Sequence, residues 1–327
     1  MSEIINDEVY GKIEINEPIL LELINSKEIQ RLKNISQFGI PSEYYHMPSY
    51  SRYEHSMGVF LLLRKLNVDL KEQIAGLIHD ISHTAFSHVI DWVIGDSTQE
   101  SFQDSVFSEF LEHSHIPQIL EKYNLNYKDF LNLEKFTLLE QPIPSLCADR
   151  FDYAIREIKK FETPEQITSI LDSLKNKNNR LCFVSQEAAE IFAKGYLRCQ
   201  NQHWAGDQAK ARYYILSSIL KKALKEKIIC FEDIKTTDNE VINILKNSRN
   251  KEIIEGLNLL RNGFDIKETE EDNGIILNKK FRYIDPEISI GNNIKRLSEI
   301  SKEYDVILEQ EKQNLSQIKR ISIISKF

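Results

Sequence analysis

Apolar residues recur at the three- and four-residue spacing of an α-helix along most of the first 160 residues. The first helical stretch, predicted over residues 18–38, carries apolar residues at Ile19, Leu20, Leu23, Ile24, Ile29, Leu32 and Ile35. The same period predicts helices over residues 55–66, 70–82, 86–94, 102–111, 116–123 and 147–161. Residues 39–51, which include Pro41 and Pro48, interrupt the pattern and predict a loop.

Alternation of apolar and polar residues, which is typical of β-strands, is confined to short segments. Residues 8–16 predict a short hairpin, residues 180–184 a strand, and residues 275–290 a second hairpin. Helical spacing returns over 164–174, over 187–225 with a break near Gly206, and over 292–313. We therefore predict a mainly α fold, with a helical core and N-terminal hairpin over residues 1–160. A smaller α+β C-terminal part, residues 161–327, is predicted to pack on that core.

The composition fits a helical globular protein and argues against two kinds of partner. Hydrophobic residues make up 41% of the chain, which supports a substantial core, and 11 glycines and 8 prolines among 327 residues favour helix. The formal net charge is −8 and no basic stripe is present, so duplex nucleic acid is not expected as a partner. The longest apolar run, Val59 to Leu63, is too short to cross a bilayer, so no membrane partner is expected.

Cysteine usage and the first residues predict a cytoplasmic protein. Cys147, Cys182, Cys199 and Cys230 form no C-x-x-C pair, which indicates free thiols in a reducing compartment. Residues 1–8 carry neither the basic nor the apolar region of a secretory signal.

Two histidines and two aspartates have the chemistry of a metal site. His55, the adjacent pair His79-Asp80, and Asp149 offer two imidazoles and two carboxylates. Such a mixed set suits a divalent ion and leaves positions open for water and a phosphate oxygen. These ligands do not choose among Mn, Fe, Mg, Co, Ni and Zn, so the identity of the metal stays open.

Groups able to hold a phosphate accompany these residues. Arg52 precedes His55 by three positions, and Arg150 and Tyr153 follow Asp149 closely, so each predicted helix places a donor beside a ligand. Guanidinium groups match the geometry of phosphate oxygens.

A second cluster comprises His83, His88 and Asp91. His83 lies four residues after His79, on the same face of the predicted helix. Asp91 lies three residues after His88, where its carboxylate can orient the imidazole. His88 is therefore a candidate general acid or base, and His83 a second catalytic candidate.

Each histidine, taken singly, is also explained as a hydrogen-bonded core residue. Five of the chain's eight histidines lie in one segment: His46, His55, His79, His83 and His88. Their accumulation among apolar helices favours a joint function. His113 and His115 are adequately explained by a helix C-terminus. His203 and Trp204, in a polar turn region, are compatible with either packing or substrate contact.

Four segments together resemble the HD-domain phosphohydrolase superfamily, whose signature is the order H…HD…D. They are residues 29–39 (IQRLKNISQFG), 51–59 (SRYEHSMGV), 75–88 (AGLIHDISHTAFSH) and 149–153 (DRFDY). In detail they are similar to the dNTP triphosphohydrolase branch, which includes bacterial dGTPases and the mammalian SAM-and-HD-domain enzyme. The resemblance covers roughly residues 20–160 and implies an HD-type helical core.

The resemblance implies a role for each matching residue. It implies metal ligation by His55, His79, Asp80 and Asp149. It implies contact with the α-phosphate by Arg52 and His83, and acid–base catalysis by His88 with Asp91. It also places Arg150 and Tyr153 on phosphates, Gln37 near the sugar 3′-hydroxyl and Phe38 against the sugar ring. A homo-oligomer is implied by the resemblance alone.

The chain departs from this branch at two points. The branch has a further His-Glu pair after the HD helix, whereas residues 97–104 contain no histidine, and Glu100 and Asp104 are the nearest substitutes. The residues that grip the distal phosphates are not reproduced, and Lys210 and Arg212 are the nearest candidates. The hydrolytic chemistry is thus better supported than the triphosphate substrate.

We therefore predict a metal-dependent phosphohydrolase that acts on a nucleotide. The leading substrate is a dNTP, cleaved to deoxynucleoside and triphosphate. Three alternatives stay open: a nucleotide phosphomonoesterase, a phosphodiesterase on cyclic or oligonucleotides, and a non-catalytic nucleotide-binding sensor.

Overall fold

The computed structural model describes residues 2–95, 100–271, 274–276, 281–314 and 320–325. Helices dominate this part of the chain, and the sheets are small, which confirms the predicted mainly α fold. Among the described residues of the first 160, seven α-helices are present: α1 Pro18–Ile24, α2 Lys27–Arg31, α3 Arg52–Lys65, α4 Leu70–Ile78, α5 Phe102–His113, α6 Ile116–Lys122 and α7 Ala148–Ile158.

The later helices are separated by short strands and turns. They are α8 Pro164–Ser173, α9 Gln186–Cys199, α10 Asp207–Lys225, α11 Phe231–Ile234, α12 Asp238–Asn247, α13 Lys251–Asn262, α14 Leu297–Ile300 and α15 Lys302–Asn314. A π-helical turn, Gln200–Trp204, joins α9 to α10, which agrees with the predicted break near Gly206.

Three sheets are formed by the described strands. A hairpin of β1 (Glu3–Asp7) and β2 (Gly11–Ile15) begins the chain. The second sheet has the order β3-β4-β7-β8, with strands Leu174–Lys177, Arg180–Phe183, Glu287–Ile290 and Asn293–Arg296. The third has the order β5-β9-β6, with strands Phe264–Glu268, Arg320–Ser325 and Ile275–Ile276.

Helix α3 is the centre of the fold because it is buried on nearly every face. Its start is fixed by a capping box, in which the Ser51 side chain accepts from the Glu54 backbone and the Glu54 carboxylate accepts from the Ser51 backbone. From His55 to Leu63 every residue is buried. Helices α4 and α7 pack against α3, so ligands carried near the ends of these three helices can meet.

Several predicted elements differ from the structure. The stretch 18–38 is divided into α1, α2 and a 3-10 turn, because Asn25 and Ser26 end the first helix and Ser26 caps the next. Residues 86–94 form a 3-10 turn over Ser87–Trp92, since Phe86 has a left-handed backbone with φ 65°. The N-terminal hairpin starts earlier than predicted, at Glu3.

The predicted hairpin over residues 275–290 is wrong in its pairing. Ile275–Ile276 pairs with β9, whereas β7 forms a hairpin with β8 across a turn that contains Gly291 at φ 60°. The intervening residues 277–280 lie outside the described residues, as do 97–99 of the segment compared with the His-Glu pair.

The boundary near residue 160 stays a prediction. Buried residues from both sides of it, including Leu63 and Phe192, share one hydrophobic cluster. Among the described residues, none of the helices has the length and apolar character required to cross a membrane.

Candidate metal centre and adjoining cavity

His55 lies in the first turn of α3, and a buried carboxylate fixes the orientation of its ring through Nδ1. Its Nδ1 donates to Oδ2 of Asp152, 2.8 Å away, and its side chain is 1% exposed. Because Nδ1 is occupied by its hydrogen bond to this carboxylate, Nε2 is the ring nitrogen that faces the other predicted ligands.

His79 and Asp80 lie on a tight turn rather than inside a helix, because α4 ends at Ile78. The prediction that His79 and His83 share a helical face is therefore wrong. His79 Nδ1 donates to the carbonyl of Gly76 at 2.7 Å, so its Nε2 also points away from the backbone. Gln103 Nε2 holds the turn by donating to the His79 carbonyl at 2.9 Å.

The four predicted ligands converge. Nε2 of His55 lies 3.3 Å from Nε2 of His79 and 2.8 Å from Oδ1 of Asp149. Nε2 of His79 lies 3.7 Å from that Asp149 oxygen and 3.5 Å from Oδ1 of Asp80. One ligand atom from each of His55, His79 and Asp80 lies within 4.8 Å of the others. Donors so spaced surround a point within bonding reach of a divalent cation, and their two-nitrogen, two-oxygen chemistry fits such an ion.

The charges of this cluster also favour a cation. Burial lowers the pKa of His79, but Asp80 and Asp149 outweigh burial and raise it to about 9. Burial opposes ionisation of Asp80, yet Arg52, followed by His79 and His83, lowers the pKa of Asp80 well below its usual range. The carboxylates therefore draw positive charge to the place where a divalent ion fits.

A buried ionic network behind His55 escaped the sequence reasoning. Asp152 accepts from Nε of Arg156 at 2.9 Å, and Arg156 Nη2 reaches Oδ2 of Asp7 at 2.7 Å. A Cβ at Gly58 would lie 2.0 Å from both Arg156 Nη2 and Asp152 Oδ1. The only sequence signal was the four-residue spacing of Asp152 and Arg156 on α7.

Arg52 stands beside the metal centre, as its spacing to His55 predicted. Its Nη1 donates to Oδ2 of Asp80 at 2.9 Å, its Nε to Ser87 Oγ at 3.1 Å, and its Nη2 to the Gln37 carbonyl at 3.3 Å. These bonds orient the guanidinium and leave two of its five N–H groups for a ligand.

The predicted second cluster is also assembled. The rings of His83 and His88 lie 5.1 Å apart in an edge-to-face arrangement, and His88 Nδ1 lies 3.4 Å from Oδ2 of Asp91. Burial and then Arg52 lower the pKa of His83 to about 3, so His83 is a neutral imidazole.

A cavity of about 1040 Å³ adjoins the centre. The predicted site residues that line it are Gln37, Phe38, Arg52, His79, Asp80, His83, His88, Asp149, Arg150 and Tyr153. His55 and Asp91 lie behind this wall and support it.

Aromatic side chains line one region of this cavity. The rings of Phe38, Tyr45, Tyr50, Tyr153, Tyr196, His203 and Trp204 form it. Phe38 meets His203 edge-on, with ring centres 4.4 Å apart. This aromatic region lies next to the metal centre, because the Tyr153 ring is 6.3 Å from that of His55.

A hydrogen-bonded chain, also missed from the sequence, organises the aromatic region. The buried carboxylate of Glu157 accepts from His203 Nδ1 and, at 2.6 Å, from Trp204 Nε1. Tyr45 donates its hydroxyl hydrogen to Nε2 of His203 at 3.0 Å. His203 and Trp204 therefore both line the cavity and pack within the aromatic region. Nothing in the sequence indicated the role of Glu157 beyond its position on α7.

The remaining phosphate candidates divide into two groups. Arg150 and Tyr153 line the cavity, but both already form hydrogen bonds with other residues of the protein. Arg150 donates to the Ser145 carbonyl at 2.9 Å, and the Tyr153 hydroxyl lies 2.5 Å from that of Tyr196. Lys210 also lines the cavity.

Arg212 does not line the cavity. Its Nη1 donates at 2.6 Å to the carbonyls of Tyr44 and Leu260, so Arg212 links these two segments and has a structural role. Glu100 and Asp104, the substitutes considered for the His-Glu pair, both line the cavity.

A helical scaffold that gathers two imidazoles and two carboxylates beside a cavity is the arrangement expected of a metal-dependent hydrolase. A family model described as HD domain matches residues 52–176. The metal-dependent phosphohydrolase cns2 of Cordyceps militaris is 31% identical over 304 residues, 88% of this chain and 85% of that protein. The chain belongs to the HD-domain family of metal-dependent phosphohydrolases.

Two further relatives and one solved structure are also similar to this chain. The uncharacterised protein YdhJ of Bacillus subtilis is 38% identical over 300 residues, 91% of this chain and 92% of that protein. Deoxynucleoside triphosphate triphosphohydrolase SAMHD1 of Gallus gallus is 29% identical over 206 residues, 54% of this chain and 31% of that protein. The crystal structure of a phosphohydrolase from Bacteroides thetaiotaomicron superposes with a TM-score of 0.73 at 22% identity over 100% of both chains, which shows the same fold.

Proposed function

We propose that this phosphohydrolase cleaves the ester bond between a nucleoside and its first phosphate. The leading substrate is a dNTP, and the products are then deoxynucleoside and inorganic triphosphate. The observation that carries the proposal is the continuity of one cavity from the four clustered ligands to the aromatic region. A phosphate at the ligands places its nucleoside beside aromatic rings.

A divalent metal ion would be held by His55, His79, Asp80 and Asp149. A divalent cation bound there supplies Lewis-acid activation of water and stabilises negative charge on a phosphate oxygen. Asp152 and the Gly76 carbonyl accept from Nδ1 of His55 and His79, and so fix both imidazoles with Nε2 toward the other proposed ligands.

Arg52 and His83 bind the scissile phosphate. Because Asp80, Ser87 and the Gln37 carbonyl fix the Arg52 guanidinium, its remaining N–H groups are oriented before substrate arrives. His83 contributes a neutral imidazole, whose single N–H donates either to a phosphate oxygen or to Oδ1 of Asp80, 3.4 Å from Nε2, without adding charge next to Arg52.

His88 moves the proton. Its Nδ1 faces Asp91 at 3.4 Å, and its side chain is 28% exposed on the cavity wall. The other ring nitrogen, Nε2, can therefore exchange a proton with the leaving oxygen or with water, while Asp91 orients the ring.

The aromatic region binds the nucleoside. The Oε1 atom of Gln37 is buried on the cavity wall and accepts no hydrogen bond from any residue that the structure describes. A sugar hydroxyl satisfies this acceptor, and Phe38, Tyr50 and Trp204 offer apolar faces to the sugar and base. Arg150 and Tyr153 are the proposed contacts to further phosphates.

Product analysis tests this function. The full chain is loaded separately with Mn²⁺, Mg²⁺, Fe²⁺, Co²⁺, Ni²⁺ or Zn²⁺ and incubated with dNTPs, nucleoside monophosphates and cyclic nucleotides. We expect deoxynucleoside with inorganic triphosphate. Orthophosphate from monophosphates supports the phosphomonoesterase alternative, and ring opening supports the phosphodiesterase. Tight binding of intact nucleotide with every metal contradicts hydrolysis and supports the sensor.

We also propose a homo-oligomer, which the family resemblance supports. Size-exclusion chromatography with light scattering tests it, and a 38.2 kDa species at all concentrations contradicts it.

A further inference from the structure

Two loop segments hold the Arg52 guanidinium in addition to its bond with the metal centre. Its Nε donates to Ser87 Oγ at 3.1 Å, and its Nη2 donates to the Gln37 carbonyl at 3.3 Å. The Ser87 hydroxyl donates in turn to the Ser36 carbonyl at 2.9 Å, which joins the two segments to each other. The orientation of Arg52 therefore depends on where both segments lie.

Asp238, the first residue of α12, holds both of these segments. Its Oδ2 accepts from the Ser36 backbone nitrogen at 2.8 Å, and its Oδ1 accepts from the Phe86 backbone nitrogen at 2.7 Å. Asp238 is 2% exposed, and burial raises its pKa to about 6, so the carboxylate is ionised at pH 8. One buried carboxylate thus fixes the residues that immediately precede Gln37 and Ser87.

The segment that carries Ser87 needs such a support. Phe86 and Ser87 have φ angles of 65° and 43°, in the left-handed region that residues with a side chain rarely adopt. Backbone strain of this kind persists only where surrounding contacts determine it. Asp238 supplies one of these contacts at the Phe86 N–H. Without it, the backbone that presents Ser87 to Arg52 is free to relax.

The segment that precedes Asp238 is docked on the same turn by separate bonds. Arg31 joins the two, because its Nη1 donates to the Thr236 carbonyl at 2.8 Å and its Nη2 to the His83 carbonyl at 2.7 Å. The backbone nitrogen of Ala85 also donates to this segment, at 2.9 Å. Asp238 is therefore held at a fixed place behind the turn and does not follow a displaced partner.

We propose that Asp238 is a positioning residue that orients Arg52 toward the scissile phosphate. It acts through the backbone segments that carry Gln37 and Ser87, since Asp238 itself lies outside the cavity lining. The inference rests on the proposed function, in which Arg52 binds that phosphate. Displacing a group that contacts the substrate by a fraction of an ångström is enough to weaken its action. The predicted C-terminal part thereby acts on a site that the first 160 residues build.

Asp238→Asn tests this role with little change in the size of the side chain. The substitution replaces one of the two acceptors by an NH₂ group, which cannot accept from a backbone N–H. Orthophosphate is titrated by calorimetry at pH 8 into full-length protein loaded with Mn²⁺. We expect it to bind about three- to tenfold more weakly to the variant. Orthophosphate has no sugar, so the probe reports on Arg52 and not on a contact between Gln37 and a sugar. Unchanged affinity would overturn the proposal.

The same substitution in an Arg52→Lys protein shows whether the effect passes through Arg52. A lysine ammonium does not reproduce the fork that bonds to Ser87 and Gln37, so the geometry that Asp238 maintains is lost in this background. We expect Asp238→Asn to change orthophosphate affinity, and kcat/KM for the best nucleotide, by less than about twofold there. A merely structural role predicts the full loss in both backgrounds, because independent effects add, and that result would refute the proposal.

Asp285→Asn is the matched control. Asp285 is also buried, its oxygens accept from the backbone nitrogen and hydroxyl of Ser298 at 3.0 and 2.7 Å, and it lies outside the cavity lining. Asp285→Asn should lower the melting temperature and leave orthophosphate affinity unchanged. An equal loss of affinity in this control would indicate general destabilisation and contradict the proposal. Elemental analysis checks that every variant binds the same amount of metal.

A second substitution keeps the test valid if Asp238→Asn does not fold. Asp238→Glu keeps both acceptor oxygens and moves them by one methylene group, and we expect the same dependence on Arg52. If nucleotides are hydrolysed but the loss is equal in both backgrounds, the proposed function stands and the positioning role fails. If no nucleotide is hydrolysed but orthophosphate affinity depends on Asp238 only when Arg52 is present, the positioning role stands and the function fails.

Discussion

Nδ1 of His55 lies 2.8 Å from Oδ2 of Asp152, and the same oxygen accepts from Arg156 Nε at 2.9 Å. Asp152 and its own partner Arg156 are both fully buried, so the His55 ring has little freedom to turn. A carboxylate behind a ligating imidazole also raises its basicity. Helix α7 therefore has two roles. It carries the proposed ligand Asp149 and, three residues later, Asp152, which positions the proposed ligand His55.

Replacing Asp152 should weaken metal binding without removing any ligand. Asp152→Asn keeps the size of the side chain but loses the negative charge that faces His55 and Arg156. We expect metal affinity to fall by about 10–100-fold. Competition with a chelator measures the change. Asp172→Asn, at an exposed position on α8, is the matched control. Unchanged affinity in Asp152→Asn would mean that the backbone alone positions His55.

Removing a ligand should have a larger effect. His79→Ala deletes the Nε2 atom that lies within 4 Å of three other predicted ligands. We expect loss of bound metal by elemental analysis and a fall in kcat/KM of at least about a hundredfold. His113→Ala changes an exposed histidine and serves as the control. Full activity in His79→Ala would show that the metal centre lies elsewhere.

Helical spacing and the clustered histidines were enough to predict the mainly α fold and to identify the residues that converge. The turn at His79 was not predictable, because apolar residues continue at helical spacing past Ile78. Distant partners hold that turn: Arg31 Nη2 donates to the carbonyls of Ile81 and His83 at 2.8 and 2.7 Å. Periodicity carries no information about such bonds.

The buried partners of Glu157 and Glu100 were missed for a related reason. Glu157 and Glu100 acquire their roles from His203 and Arg282, which are 46 and 182 residues away. A single carboxylate in a helix or turn has no local pattern that distinguishes a buried partner from a solvated one. The family motifs include the proposed metal ligands. The pairs Glu157–His203 and Glu100–Arg282 instead depend on how later parts of the chain pack on the core.

Gly58 should be intolerant of a side chain although it lies within a helix. Alanine normally favours helix over glycine by about 1 kcal/mol. At this position the new Cβ would lie 2.0 Å from both Arg156 and Asp152, so the buried ion pair must shift. We expect Gly58→Ala to lower the free energy of unfolding by about 1–3 kcal/mol in urea denaturation. In the control Gly256→Ala, the Cβ meets only the movable Ile219 side chain, and the loss should be smaller.

Tyr45 should act on nucleoside binding rather than on the chemical step. Its hydroxyl donates to His203 Nε2 in the aromatic region, and Glu157 fixes the other nitrogen of that ring. Tyr45→Phe leaves the Nε2 acceptor unpaired and loosens the ring that packs on Phe38. We expect KM for the best nucleotide to rise by about 3–10-fold while kcat changes less than about twofold. Tyr127→Phe, whose hydroxyl binds Glu112 on the surface, is the matched control. A fall in kcat at constant KM would place Tyr45 in the proton pathway and would contradict the assignment of the aromatic region to the nucleoside.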